Sequence, residues 1–141
     1  KAESHKIVYA SLMKNTRSYL ERISNQINGS YERGWYDGCA VMMRRLLETL
    51  IIESFENHNI SSKIKNASGD FFYLSDLVTI TLNETAWNLS RNANRALPKL
   101  KDIGDKSAHS RYFLAHREDI DKIIEDFRLV IQELLMISKL K

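Results

Sequence analysis

Along residues 7–27 the larger apolar side chains fall at Val8, Leu12, Tyr19, Leu20, Ile23 and Ile27, steps of three and four that line one face of a helix. The spacing predicts a first helix there. Asn28-Gly29-Ser30 then offers a stop, because glycine accepts the left-handed backbone that ends helices. A second helix is expected over about 31–57. Its apolar members Trp35, Cys39, Met42, Met43, Leu46, Leu47, Leu50, Ile51 and Phe55 form a stripe too wide for one contact face, which predicts a central spine packed from several sides.

The pattern lapses over 56–73 into Asn, Ser, Lys, Gly and Asp, with Ile60 and Ile64 marking one short helical turn in a long connection. Ser75 and Asp76 are placed to cap a third helix carrying Leu74, Leu77, Val78, Thr81 and Leu82. Trp87 and Leu89 follow as expected buried anchors before a polar break at 88–94. Pro98 fits the first turn of a fourth helix, where its missing donor costs little, with Leu100, Ile103 and Gly104 facing inward and an end near 109–112. Glu118, Asp119 and Asp121 open the last helix at its positive end, and Ile120, Ile123, Ile124, Phe127, Val130, Ile131, Leu134 and Ile137 line its buried face.

The expected fold is therefore an all-α helical bundle in a single domain over 1–141. Composition agrees. One proline and five glycines fall well below the roughly seven and ten that average usage would supply, and all-β folds need such residues for their turns. Cys39 stands alone and cannot form an internal disulfide, so a cytoplasmic setting is the default expectation. No apolar stretch approaches the ~20 residues of a membrane span, so no membrane partner is expected. Glycosylation sequons at Asn28, Asn59, Asn66, Asn83 and Asn88 read as by-products of a chain rich in Asn and Ser. The chain opens on Lys1 rather than methionine, which is compatible with excision from a longer protein that holds a partner domain.

Charge changes the picture more than composition does. The net charge of +3 hides a window over 91–117 that sets Arg91, Arg95, Lys99, Lys101, Lys106, Arg111 and Arg117 against Asp102 and Asp105. Residues 118–126 answer with Glu118, Asp119, Asp121, Glu125 and Asp126 against Lys122. A basic patch attracts phosphate; the alternative is a solvated helix face that its acidic neighbour partly neutralises. Asp102, Asp105, Lys106 and His109 are spaced to share one face of the fourth helix. Asp105, one turn before His109, can orient its imidazole and favour its charged form, leaving His109 a candidate general acid or base. Lys101, Lys106 and Arg111 are the candidate phosphate or RNA contacts. A histidine that merely caps its helix is the competing reading.

Elsewhere the residues read as structural. Arg44 and Glu48, one turn apart and flanked by apolar residues, form an expected structural pair, and Cys39 on the apolar stripe an inert thiol. His5 and His58 fall at helix margins. No ligand cluster at metal spacing, phosphate loop or serine-nucleophile motif is present, so neither a metal nor a cofactor is expected.

Two stretches, Arg44-Arg45-Leu46-Leu47-Glu48-Thr49-Leu50 and Leu100-Lys101-Asp102-Ile103-Gly104-Asp105-Lys106-Ser107-Ala108-His109-Ser110, together resemble a bacterial branch of the HEPN superfamily, the higher eukaryote and prokaryote nucleotide-binding domains. The resemblance runs from about Gly34 to the end. It implies an up-and-down bundle of four to five helices, HEPN-like and often dimeric, with the motif at or near the dimer interface; Gly104, facing inward on the fourth helix, is read as structural. Active members are metal-independent ribonucleases whose site combines an arginine, a polar residue and a histidine four to six positions later. His109 matches that histidine. Asp102, Ile103 and Gly104 occupy the places where the arginine should stand, with Lys101 one residue too early and Lys106 too late. Lysine does not reproduce the forked guanidinium grip on phosphate, and aspartate repels it.

Two expectations stay open. The first is a domain that binds RNA, a nucleotide or another phosphate ligand, with metal-independent cleavage through His109. The second is a catalytically silent module for homodimerisation or for docking a protein partner.

Overall fold

A computed structural model describes residues 6–141. His5 lies outside them. The chain forms α1 (Ala10–Met13), α2 (Ser18–Glu32), α3 (Tyr36–Asn57), a 3-10 turn (Ser61–Ile64), α4 (Leu74–Asn83), α5 (Arg91–His109), α6 (Arg117–Asp121) and α7 (Ile124–Ile137). No strand forms among the described residues, although Lys65 and Phe71 make one isolated bridge.

The wide apolar stripe of α3 is the spine. Leu46, Leu50, Ile51 and Phe55 are fully buried, and α3 packs against α2, α4, α5 and α7. Contacts at the helix ends set the directions. Arg17 at the start of α2 meets Glu53 near the end of α3 at 3.1 Å, so these two helices run antiparallel. Asn57 and His58, at the end of α3, bond the Ser138 and Ile137 carbonyls just past or at the end of α7, so α3 and α7 run parallel. The Ser90 amide ahead of α5 reaches Glu133 of α7, which makes α5 antiparallel to both.

Helix α4 breaks this alternation. Its end lies at Glu84, bonded to Lys63 past the end of α3, while its start shares a cleft with Arg44 and Glu48 further back on α3. It therefore runs the same way as α3. The connection over 58–73 makes that return, pinned by the fully buried Ile64 and turned at Gly69, whose φ is +87°.

Several boundaries differ from those the pattern predicts, each for a local reason. The first helix is split at Asn15, which takes a left-handed φ of +66°, a conformation that asparagine tolerates better than most residues. Gly29 does not stop α2. The Asn28 side chain instead binds the backbone of Ile7 and Val8, and the helix continues to Glu32 and closes at Gly34. There φ is +79° and the Trp35 amide reaches back to the Ser30 carbonyl at 2.8 Å, a Schellman-type closure.

Helix α4 opens at Leu74 with Tyr73 in the cap position, and neither Ser75 nor Asp76 caps it. Trp87 is buried against Phe55, whereas Leu89 is only half-buried. Ser90 caps α5 through a 3.1 Å bond from the Ala93 amide, so the polar stretch after it is the first turn of a helix and Pro98 falls inside. Pro98 is tolerated because Asn94, whose carbonyl loses its helical donor there, faces water as Pro98 does. The last helix is interrupted at 122–123, between a short α6 held by a His116–Asp119 capping box and the longer α7.

Candidate functional site

The site is built where α3 crosses α5. Gly104 is buried at the crossing, and a Cβ placed on it would stand 2.7 Å from the Cβ of Arg44. Missing side-chain bulk lets the Arg44 stem lie directly on the α5 backbone. From there its Nε donates to Asp105 Oδ1 at 3.1 Å, while its terminal nitrogen stands 3.9 Å from Glu48. The second Asp105 oxygen accepts from Lys101 Nζ at 2.9 Å, and Lys101 also pairs with Asp102 at 3.3 Å.

Burial pushes the Asp105 pKa upward, but the hydrogen bonds from Lys101 and Arg44, with their charges, outweigh it and hold the carboxyl below its ordinary range. Lys101 moves the opposite way. Its hydrogen bond to Asp105 raises it against the lowering effect of burial. The two cations nearest the centre are thus committed to carboxylates.

His109 ends α5 and is exposed. It lines a cleft of about 630 Å³ with Arg44, Glu48, Asp105, Leu74, Ser75 and Tyr73. No hydrogen bond joins His109 to Asp105 among the described residues, because both Asp105 oxygens face Arg44 and Lys101. Sequence spacing alone puts Lys106 on the His109 face. In the fold Lys106 turns toward Phe113, 5.9 Å from its ring centre, and into a separate groove with Lys99, Lys122, Asp102, Asp119 and Asp126. The acidic start of α6 and α7 therefore meets the middle of the basic segment.

The end of that segment has different company. Arg111 stacks 5.8 Å from the centre of Tyr112, which is 90% exposed. The Ala115 amide bonds Asp37 at 3.1 Å, tying the loop after α5 to the first turn of α3, right beside Trp35. Trp35 is 63% exposed and carries Arg33 over its ring, and Arg117 lies over Tyr31. Basic residues and aromatic rings thus alternate around one end of the bundle.

The apolar pattern puts Trp35 on the stripe of the spine, but its ring stands just ahead of α3 and is exposed; Tyr73, Tyr112, Arg33 and Tyr31 are functional candidates that the pattern does not mark. A signal was present in Arg111-Tyr112-Phe113 and Arg33-Gly34-Trp35, where cations and rings adjoin, but pairing of the two segments needs the fold. His58, by contrast, is structural: Nε2 lies 2.8 Å from the Ile137 carbonyl and the ring meets Trp87 edge-on. Cys39 is buried on the spine, and burial pushes its thiol up to about 12.

Among the described residues no group of three or more His, Cys, Asp or Glu is placed to hold a metal ion, and no helix is long and apolar enough to cross a membrane. No family model, curated protein or solved structure matches the chain.

Proposed function

We propose that this chain is a HEPN-like domain that binds single-stranded RNA at the end of the bundle formed by the loop after α5 and the start of α3. One observation carries the reading. Arg111 with Tyr112 and Arg33 with Trp35 place cation and exposed ring side by side at the end of the bundle formed by the loop after α5 and the start of α3, while Lys106 beside Phe113 and Arg117 beside Tyr31 also face carboxylates. Cations neutralise the strand's phosphates, and exposed rings offer stacking faces that any base can use. Duplex recognition fits less well, since paired bases are not free to stack on such rings. The Ile103-Gly104-Asp105-Lys106-Ser107-Ala108-His109 string at the end of α5 and the all-helical fold support the HEPN-like part of the proposal.

Binding is favoured over cleavage. Arg44 and Lys101 are already paired with carboxylates, and Asp105 does not hold the His109 ring. A second reading, self-association, draws on Leu114, which is 65% exposed between Tyr112 and the Asp37-bound Ala115.

The test is binding and cleavage of mixed cellular RNA by the purified chain, with chelator present, at two salt concentrations, beside His109→Ala. Salt-sensitive binding without cleavage is the expected result. Cleavage that survives chelation and disappears in His109→Ala would make the domain a metal-independent nuclease. Absence of both would overturn the proposal, and a dimer by light scattering would then favour self-association.

A further inference from the structure

The cleft between α3, α4 and the end of α5 is too acidic for a bare phosphate: Glu48 and Asp105 both face it, against the single guanidinium of Arg44 and the ring of His109. Its remaining features suit a flat, hydrogen-bonding ring. Tyr73 stands at its edge with 82% of its surface in water, on a backbone held by the fully buried Leu74 beside it and by the Leu77 amide, which donates to the Tyr73 carbonyl at 3.0 Å. Such an exposed ring is a stacking platform. Glu48 keeps its acceptors largely uncommitted, since its ion pair with Arg44 spans 3.9 Å and its side chain is 28% exposed. Arg44 cannot swing away, because its stem is trapped on Gly104 and its Nε is held by Asp105.

We infer that this cleft receives one unstacked base of the bound strand, with guanine favoured, Tyr73 stacking on the base and Glu48 reading its edge. The preference follows from donor patterns. Guanine offers two adjacent N–H donors, N1–H and N2–H, on its Watson–Crick edge, the arrangement that two carboxylate oxygens accept. Uracil sets one donor between two acceptors, and adenine and cytosine set an acceptor beside their amino group, so each of them turns a lone pair toward Glu48. His109 lines the cleft and lies two residues before Arg111, which joins the base site to the cations that hold the strand.

This inference rests on the single-strand reading above, and the experiment separates the two. A short labelled oligouridylate is titrated by fluorescence anisotropy beside the same strand with one central guanosine, inosine or adenosine. The guanosine strand is expected to bind about tenfold more tightly than the oligouridylate, with inosine between them because it lacks the N2 amino group. Glu48→Gln, checked for folding by circular dichroism, is expected to erase the guanosine preference, so that the guanosine strand and the oligouridylate bind this variant equally. Tyr73→Ala is expected to reduce the advantage of the guanosine and inosine strands. Equal affinity for all four strands, or a guanosine preference that survives Glu48→Gln, would overturn the base site and leave the strand-binding reading intact. Failure of every strand to bind would overturn both.

Discussion

Gly104 and Arg44 are in contact across α3 and α5 so closely that an added methyl at 104 would lie 2.7 Å from the Arg44 Cβ and 3.1 Å from its Cγ. In an open helix, glycine to alanine gains up to about 1 kcal/mol from propensity. Here overpacking reverses the sign, and Gly104→Ala is expected to lose about 1–3 kcal/mol in urea denaturation. Truncating Arg44 to alanine does not relieve the clash, since the offending Cβ remains. Gly38, on α3 with nothing within 4 Å of its added Cβ, is the control: Gly38→Ala is expected to gain roughly 0.4–1 kcal/mol.

Asp105 joins α5 to α3 through Arg44 and to its own helix through Lys101. Its folded pKa lies below the unfolded value near 3.8, so the stability it contributes is present above that value and is lost as pH falls through the folded one. Asp105→Asn leaves the half-buried Arg44 with only the longer 3.9 Å contact to Glu48 and is expected to cost about 1–3 kcal/mol near neutral pH. The difference between wild type and variant should narrow as the pH falls below 3.8, because the wild-type advantage disappears as its carboxyl protonates. Denaturation midpoints of both proteins across this range check it; a constant difference would contradict the pairing.

These two sites show why legibility in the sequence stops where it does. Periodicity reports burial, so the spine residues Leu46, Leu50 and Phe55 and the inward positions of the last helix were readable along the chain. A choice between competing stop signals was not. Gly29 and Gly34 look alike in sequence, and α2 passes through the first because Asn28 is occupied with Ile7 and Val8. Pro98 was misplaced because Ser90, a stronger start signal, lay inside an apparent polar break. The Arg44–Asp105 pair spans 61 positions of sequence, and spacing within one helix could only offer Asp105 to His109. Likewise nothing local says that α4 runs parallel to α3 and so brings Tyr73 to His109.

Cys39 provides a probe of the spine. It is fully buried, and burial drives its thiol to about 12, so at neutral pH the nucleophilic thiolate is scarce and shielded. Native protein is expected to react with a thiol reagent such as dithionitrobenzoate at least ~100-fold more slowly than urea-unfolded protein, at a rate that follows opening of the fold. Rapid native labelling would mean that α3 is not packed as described.

At the basic end, the expected energetics divide by side-chain type. Arg111→Ala removes one phosphate contact, so it should weaken binding of every single strand to a similar extent and reduce the salt dependence by about one unit of slope. Tyr112→Ala removes a ring that is 90% exposed in the free protein. Its loss should cost about 1–3 kcal/mol of strand affinity while leaving the salt slope unchanged, because stacking releases no counterions. Neither residue supports the core, so thermal midpoints of both variants should stay near wild type. Anisotropy titrations of oligouridylate at several salt concentrations distinguish the two effects. Should both variants bind as wild type does, the strand does not run over this loop, and the cations there are a solvated surface.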